Sequence, residues 1–346
     1  MSTNKIALKN KKHFLSVFHS ETFMCYLLSL IVIFIIAVII SNPNKYGGSI
    51  TQGLSLFFVA VLPGLLPFAF LTRILTSLGA VKKISYHLSP ITRFLFNTPG
   101  ISSYVFLMSI LSGYPIGAKL ISDLYLSNSI TQNEAKKMIS FCTTSGPIFI
   151  IGSVGSIMFG SVKIGLLLYF SHIISSVMCG IILSGKRTKL KDNQIPTSLE
   201  IPDNLLSSSI SNTIESILLV GAYISIFFLF ADILTDIGIF SGISKLINSI
   251  FEILGLENIA DGIIGGLFEV TRGCKLLGTT KTIFSVCCCC FIISLGGLSI
   301  TLQSMSFLSK CKIKAHYFIF VKCVHAILSF IVCLCLCLIF SKVVFN

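Results

Sequence analysis

Residues 101–119 read ISSYVFLMSILSGYPIGAK, and the fold depends on how such a stretch can sit in a membrane. Ile101 to Leu111 is apolar but only 11 residues long, where a helix needs about 20 to cross a bilayer. It runs into Ser112-Gly113-Tyr114-Pro115-Ile116-Gly117-Ala118-Lys119, where glycine and proline break a helix and a lysine closes the stretch. A second helical piece continues to the neighbourhood of Ser129. Two short pieces around a break predict a hairpin, residues 101–130, that enters the bilayer and returns to its starting side. Such backbone survives at membrane depth only when protein buries it or when it lines an aqueous cavity.

The composition requires a membrane setting. Hydrophobic residues fill 54% of the 346 positions and only 11% are charged, against about 25% charged in a soluble domain. There are 29 Phe and no Trp, so an interfacial belt must come from the 9 Tyr and from Lys and Arg. The net charge of +13 resides in short loops beside apolar runs, which reads as topology. No basic stripe interleaves with aromatics, which excludes a nucleic-acid partner. The 13 Cys lie almost entirely inside apolar segments, including Cys287 to Cys290 and the alternating Cys333, Cys335 and Cys337. Cys287 and Cys290 have CxxC spacing, yet no second ligand pair completes a zinc site, so the cysteines read as small packing residues. No metal and no cofactor is expected. HExxH, GxSxG and Walker A patterns are absent, so no enzyme is expected either.

Along the chain, Lys5, Lys9, Lys11 and Lys12 precede an uncleaved first span, Phe23 to Ile40, and Ser41 to Asn44 reads as a turn. Ile50 to Leu71 should be a helix kinked or broken at Pro63 and Pro67. Thr131 and Glu134 have capping-box spacing and should start a helix. Phe141 to Ser161 is interrupted at Ser145-Gly146-Pro147, and Ile164 to Leu183 is a plain span. Residues 184–212, with Lys186, Arg187, Lys189 and Lys191, form a polar connector. Ile214 to Leu234 spans, 235–256 is amphipathic, and Ile259 to Val270 is a second short apolar piece. Thr282 to Ser304 spans with a weak point at Gly296-Gly297, and Tyr317 to Phe340 spans last.

Two stretches repeat a pattern: Gly117-Ala118-Lys119-Leu120 and Gly273-Cys274-Lys275-Leu276. Each follows a short apolar piece, and each precedes a span broken at Ser and Gly. The expected unit is therefore span, re-entrant hairpin, broken span, present twice, with the second hairpin at 259–281. With the N-terminus cytoplasmic and both hairpins returning to their own side, the tail lysines, the 73–93 segment, the 186–191 cluster and Lys310, Lys312 and Lys314 all fall inside. That is the positive-inside distribution, and it makes the second unit inverted relative to the first. The expected fold is all-α and polytopic. Its segments are a tail and first helix at 1–49, a first repeat with an extra span at 50–183, the connector at 184–212, an inverted repeat at 213–305 and a last helix at 306–346.

Inverted repeats with discontinuous helices are the recurrent design of secondary transporters. Lys119, Arg272, Lys275 and Glu269 are expected in the hairpins, with Glu269 pairing with Arg272 or Lys275 and surplus positive charge left for a carboxylate or phosphate. Half-helix N-termini would add N–H donors. His172, Lys322 and His325 lie in apolar spans and read as packing or headgroup contacts, with a proton relay as the alternative.

The stretch from Ser112 to Lys119, with Phe141-Cys142-Thr143-Thr144-Ser145-Gly146-Pro147 and Gly152-x-x-Gly155, resembles the YlbJ-type sporulation integral membrane proteins of the nucleoside-recognition Gate group. Phe268 to Cys274 is similar to that family's glutamate-containing hairpin. The likeness covers roughly residues 50–305, leaving out the tail, the connector and the Cys-rich last helix. The resemblance implies a mother-cell protein of the outer forespore membrane that passes dipicolinic acid, a dianionic aromatic dicarboxylate. It also implies a fold similar to concentrative nucleoside transporters, whose paired hairpins move as an elevator. By the same resemblance the substrate site comprises Ser112, Gly113, Tyr114, Pro115, Gly117 and Lys119 with Ser145, Gly146 and Pro147. From the second half come Glu269, Thr271, Arg272, Gly273 and Lys275 with Ser294, Gly296 and Gly297. The rival expectations are a cation-coupled nucleoside or nucleobase symporter and a non-transporting sporulation scaffold. The partners expected are a small anion and the lipid bilayer, and a homo-oligomer is compatible with both.

Overall fold

The computed structural model describes residues 21–78, 80–185, 204–253 and 259–344. The tail lysines and the basic cluster at 186–191 lie outside the described residues. Every regular element among those described is helical, as lipid demands of a chain that must satisfy its own backbone hydrogen bonds. Five helices are long and apolar enough to cross a membrane: Phe23–Ser41, Val162–Leu183, Leu205–Asp236, Ile283–Cys311 and Ala315–Ser341. The chain is therefore a polytopic, all-α integral membrane protein.

Contacts divide the chain into two units, 1–49 and 50–346. The first carries helix α1 (Glu21–Ser41), whose apolar side chains such as Leu30, Ile33 and Ile40 are exposed all round, as on a lipid-facing helix. Helix α2 (Pro43–Leu56) starts on a proline, which loses nothing at a helix N-terminus.

In the larger unit, the end of α2 runs into an irregularity. A π-helical turn, Phe57–Val61, leads into α3 (Leu62–Ser77). It lies directly before Pro63, whose missing N–H frees the ladder to change register. The expected kink is thus a widened turn, and α3 continues through Pro67. Helix α4 (Ala80–Phe96) follows, and its last part meets the next helix at 91°. Pro99 sits in that corner, where the residue before proline is disfavoured in a helix.

Helix α5 (Ile101–Ser112) ends at Gly113, whose φ of 76° suits glycine, and α6 (Ile116–Leu126) starts beyond a cis Tyr114–Pro115 bond. The chain folds back here, because a Cβ on Gly117 would lie 2.8 Å from Ser109 Oγ. Helix α7 (Gln132–Cys142) opens with the expected capping box: Thr131 Oγ1 accepts from Glu134 N at 3.3 Å, and Thr131 N donates to Glu134 Oε2 at 2.7 Å. The helix stops at Thr143-Thr144-Ser145-Gly146, and a π-helical segment, Ile148–Met158, continues beyond Pro147. Then come α8 (Val162–Leu183), α9 (Leu205–Asp236) and α10 (Ile239–Ile253). Because α9 starts at Leu205, the polar connector is shorter than 184–212. Serines at 207–209 and 211 are tolerated in a helix when their hydroxyls bond back to the backbone, as Ser208 does to Asn204 O at 2.9 Å.

Helices α11 (Ala260–Phe268) and α12 (Val270–Leu277) form a second hairpin that breaks only at Glu269. Gly273 faces the backbone of Gly266, and Gly262 faces Leu277, which is antiparallel register. Helix α13 (Ile283–Leu295) ends at Gly296 in the left-handed region, α14 (Gly297–Leu308) restarts, and α15 (Ala315–Val344) closes the described chain. One core gathers α5, α6 and α7 with the first half of α15, centred on stacked Phe96 and Phe141. A second packs the π-helical segment, α8, α12 and α13 against the far half of α15.

Candidate functional site

The breaks meet. A Cβ on Gly113 would stand 2.5 Å from the backbone nitrogen of Gly146, so the first hairpin tip rests on the gap between α7 and the π-helical segment. In the second half, a Cβ on Gly297 would stand 2.6 Å from Gly266 O and 3.4 Å from Phe268 O. There too, a hairpin tip rests on the gap of a broken helix. Glycine serves these crossings because no side chain separates the backbones.

Between the two pairs lies a cavity. Ser112, Gly113 and Tyr114 line it from the first tip, and Ser145, Gly146 and Phe149 from the first broken helix. Glu269, Val270 and Thr271 line it from the second tip, and Ser299, Ile300 and Gln303 from α14. Val61, Leu65, Val220 and Ile224 supply apolar wall. The cavity is thus bounded by the end of α5 and by the first turns of three helical segments. Two of them carry no side-chain cap: the π-helical segment and α14. Helix N-termini leave N–H groups without intrahelical partners. The third, α12, is capped by Glu269, whose Oε2 accepts from Arg272 N at 2.8 Å while Oε1 accepts from Thr271 Oγ1 at 2.9 Å.

The cations expected in the hairpins are there, but none of them lines the cavity. Arg272 reaches away to Asp232 of α9, Nη1 to Oδ1 at 2.5 Å, so Glu269 bonds its backbone and not its guanidinium. The side chain of Lys119 is half-buried and lies 3.5 Å from Ser216 Oγ, which Arg73 also approaches at 3.2 Å. Lys275 is exposed. None of the three lines the cavity, and neither do Pro115, Gly117, Pro147, Gly273, Ser294, Gly296 or Gly297. Ser294, Gly296 and Gly297 instead shape the second break.

Three residues read as packing groups form the polar centre. His172 of α8 bridges the two breaks: Ser145 N–H donates to its Nε2 at 2.9 Å, and its Nδ1 lies 2.7 Å from Ser294 Oγ. Lys322 of α15, 1% exposed, donates to Tyr114 Oη at 2.5 Å, Thr143 O at 3.0 Å and His325 Nδ1 at 3.3 Å. His325 Nε2 is 3.1 Å from the carbonyl of His172. The signal that could have found them is their mere presence in apolar spans, where an ionisable group is costly. Gln303, which bonds Ser299 Oγ at 3.2 Å, carried no such signal.

The thiols also find partners that spacing did not reveal. The sulfurs of Cys287, Cys333 and Cys337 all lie within 4.8 Å of one another. Cys333 and Cys337 come from α15, one turn apart, and the group includes Cys287 but not Cys290, a grouping that a search for local CxxC spacing cannot see.

No family model matches the chain, and no solved structure matches it. The sporulation integral membrane protein YlbJ of Bacillus subtilis (strain 168) is 26% identical to it over 313 residues, covering 83% of this chain and 76% of its own length. The chain is similar to YlbJ over most of its length. An alignment of that extent takes in far more than one hairpin, so the YlbJ likeness reaches beyond the two motifs that suggested it.

Proposed function

We propose that this chain is a transporter for a small organic anion, with dipicolinate as first candidate, in the outer forespore membrane of a sporulating cell. The observation that carries the reading is the convergence of three helix N-termini, two of them uncapped, on one cavity. Each terminus bears the equivalent of about +0.5 charge, and each favours an anion by about 0.3–1 kcal/mol. Discontinuous helices around a central cavity are the substrate sites of secondary transporters. The same order, hairpin then broken helix, occurs twice, which supports a two-repeat architecture with the second repeat inverted by the charge distribution. Both hairpins are then re-entrant and the N-terminus is cytoplasmic. Sporulation enters through the name of the YlbJ relative.

A nucleoside or nucleobase cargo is the second reading, favoured by Glu269, Gln303 and Ser299 on the wall where the sequence had led us to expect lysines and arginine. Thermal stabilisation of the purified protein by dipicolinate, nucleosides and phosphate-bearing metabolites separates them. A ligand at 100 times its Kd adds about 2.7 kcal/mol, so the expected outcome is a midpoint that rises with dipicolinate and not with nucleosides. A response to nucleosides alone replaces the anion reading, and a response to none favours a membrane scaffold.

A further inference from the structure

A buried lysine, Lys322, stands one residue behind the cavity wall. The three acceptors of Lys322 are a phenol oxygen, a carbonyl and an imidazole nitrogen, and none is a carboxylate. Their orientation can be assigned. The carbonyl of His172 can only accept, so His325 carries its hydrogen on Nε2 and turns the lone pair of Nδ1 to Lys322. Thr143 O likewise only accepts. His172 accepts at Nε2 from Ser145 N–H, so its hydrogen is on Nδ1, facing Ser294, and the ring is neutral. Around Lys322 the titratable groups are therefore Tyr114 from the first hairpin, His172 and Cys179 from α8 and His325 on its own helix. The thiol of Cys179 is bonded to Val321 O. As an ammonium, Lys322 uses its three donors on these acceptors and meets no carboxylate among the described residues, which is costly in a buried setting.

Tyr114 connects that charge to the cavity. It accepts from Lys322 and lines the cavity, and among the described residues its own hydroxyl hydrogen has no acceptor. A hydroxyl that accepts from a cation is the better donor for it. We propose that Lys322 is the counter-charge for a carboxylate of the cargo, acting through Tyr114, and that the pair sets the preference for carboxylates over neutral solutes. This rests on the anion-transport reading and adds the residues that select the charge.

The test measures binding of pyridine-2,6-dicarboxylate and of its neutral diamide to the full chain in lipid nanodiscs. In Lys322→Gln the ratio of the two affinities should fall about 10–100-fold, the worth of a hydrogen bond to a charged group. A ratio is insensitive to the fraction of protein that is folded. Tyr114→Phe, which keeps the lysine and removes the relay, should lower the same ratio and stands in if Lys322→Gln does not fold. An unchanged ratio in either variant, with the wild type still binding the dicarboxylate, overturns the role of Lys322 and leaves anion transport intact. A wild type that binds neither compound overturns both.

Discussion

At Gly273 a Cβ would stand 2.3 Å from the Cα of Gly266 and 2.6 Å from Gly262 O, so the second hairpin closes backbone on backbone. Gly273→Ala must push α11 and α12 apart, and overpacking of this kind costs about 1–3 kcal/mol. Its melting midpoint in detergent should fall well below that of Gly242→Ala, where a Cβ meets nothing within 4 Å. Equal midpoints would show that the hairpin is not closed in this way. Gly273 could be singled out from sequence because it sits in a repeated motif. Lys322 and His325 could not be assigned a role, because Tyr114 is 208 positions away and Thr143 is 179. Spacing within one helix shows which side chains share a face, and says nothing of what that face meets.

Among the elements, the start of α7 was the most legible. Thr131 and Glu134 satisfy each other's backbone within four residues, so no distant contact is needed to place the helix end. Thr131→Ala should cost about 1 kcal/mol, read as a lower midpoint, and no change would mean that tertiary packing alone fixes the end. The breaks at Gly113, Gly146 and Gly296 were legible for the same local reason. Glu269 was not, since it is neither Gly nor Pro. It leaves the helix with φ −139° and ψ 115° and turns its carboxylate onto the next helix, a cap that looked like one half of an ion pair.

For the whole molecule, the inverted architecture requires both hairpins to return to the side they leave. Cysteines placed at Arg93 and Asn128, on either side of the first hairpin, should react with an impermeant maleimide from the same face once the exposed Cys25 and Cys335 are removed. Labelling from opposite faces would turn the hairpin into a crossing and undo the mirrored arrangement.

Sequence by itself determined that this chain lives in lipid, where its helices break, and which pieces are too short to cross. Those properties follow from local hydrophobicity and from glycine, proline and capping chemistry, which act within a few residues. Only the tertiary structure decided what lies at the centre. It moved Arg272 to Asp232, left Lys275 exposed, and brought four helix ends, Tyr114 and Lys322 together. A side chain's electrostatic role depends on what other helices place beside it, and residues two hundred positions apart carry no local trace of that meeting.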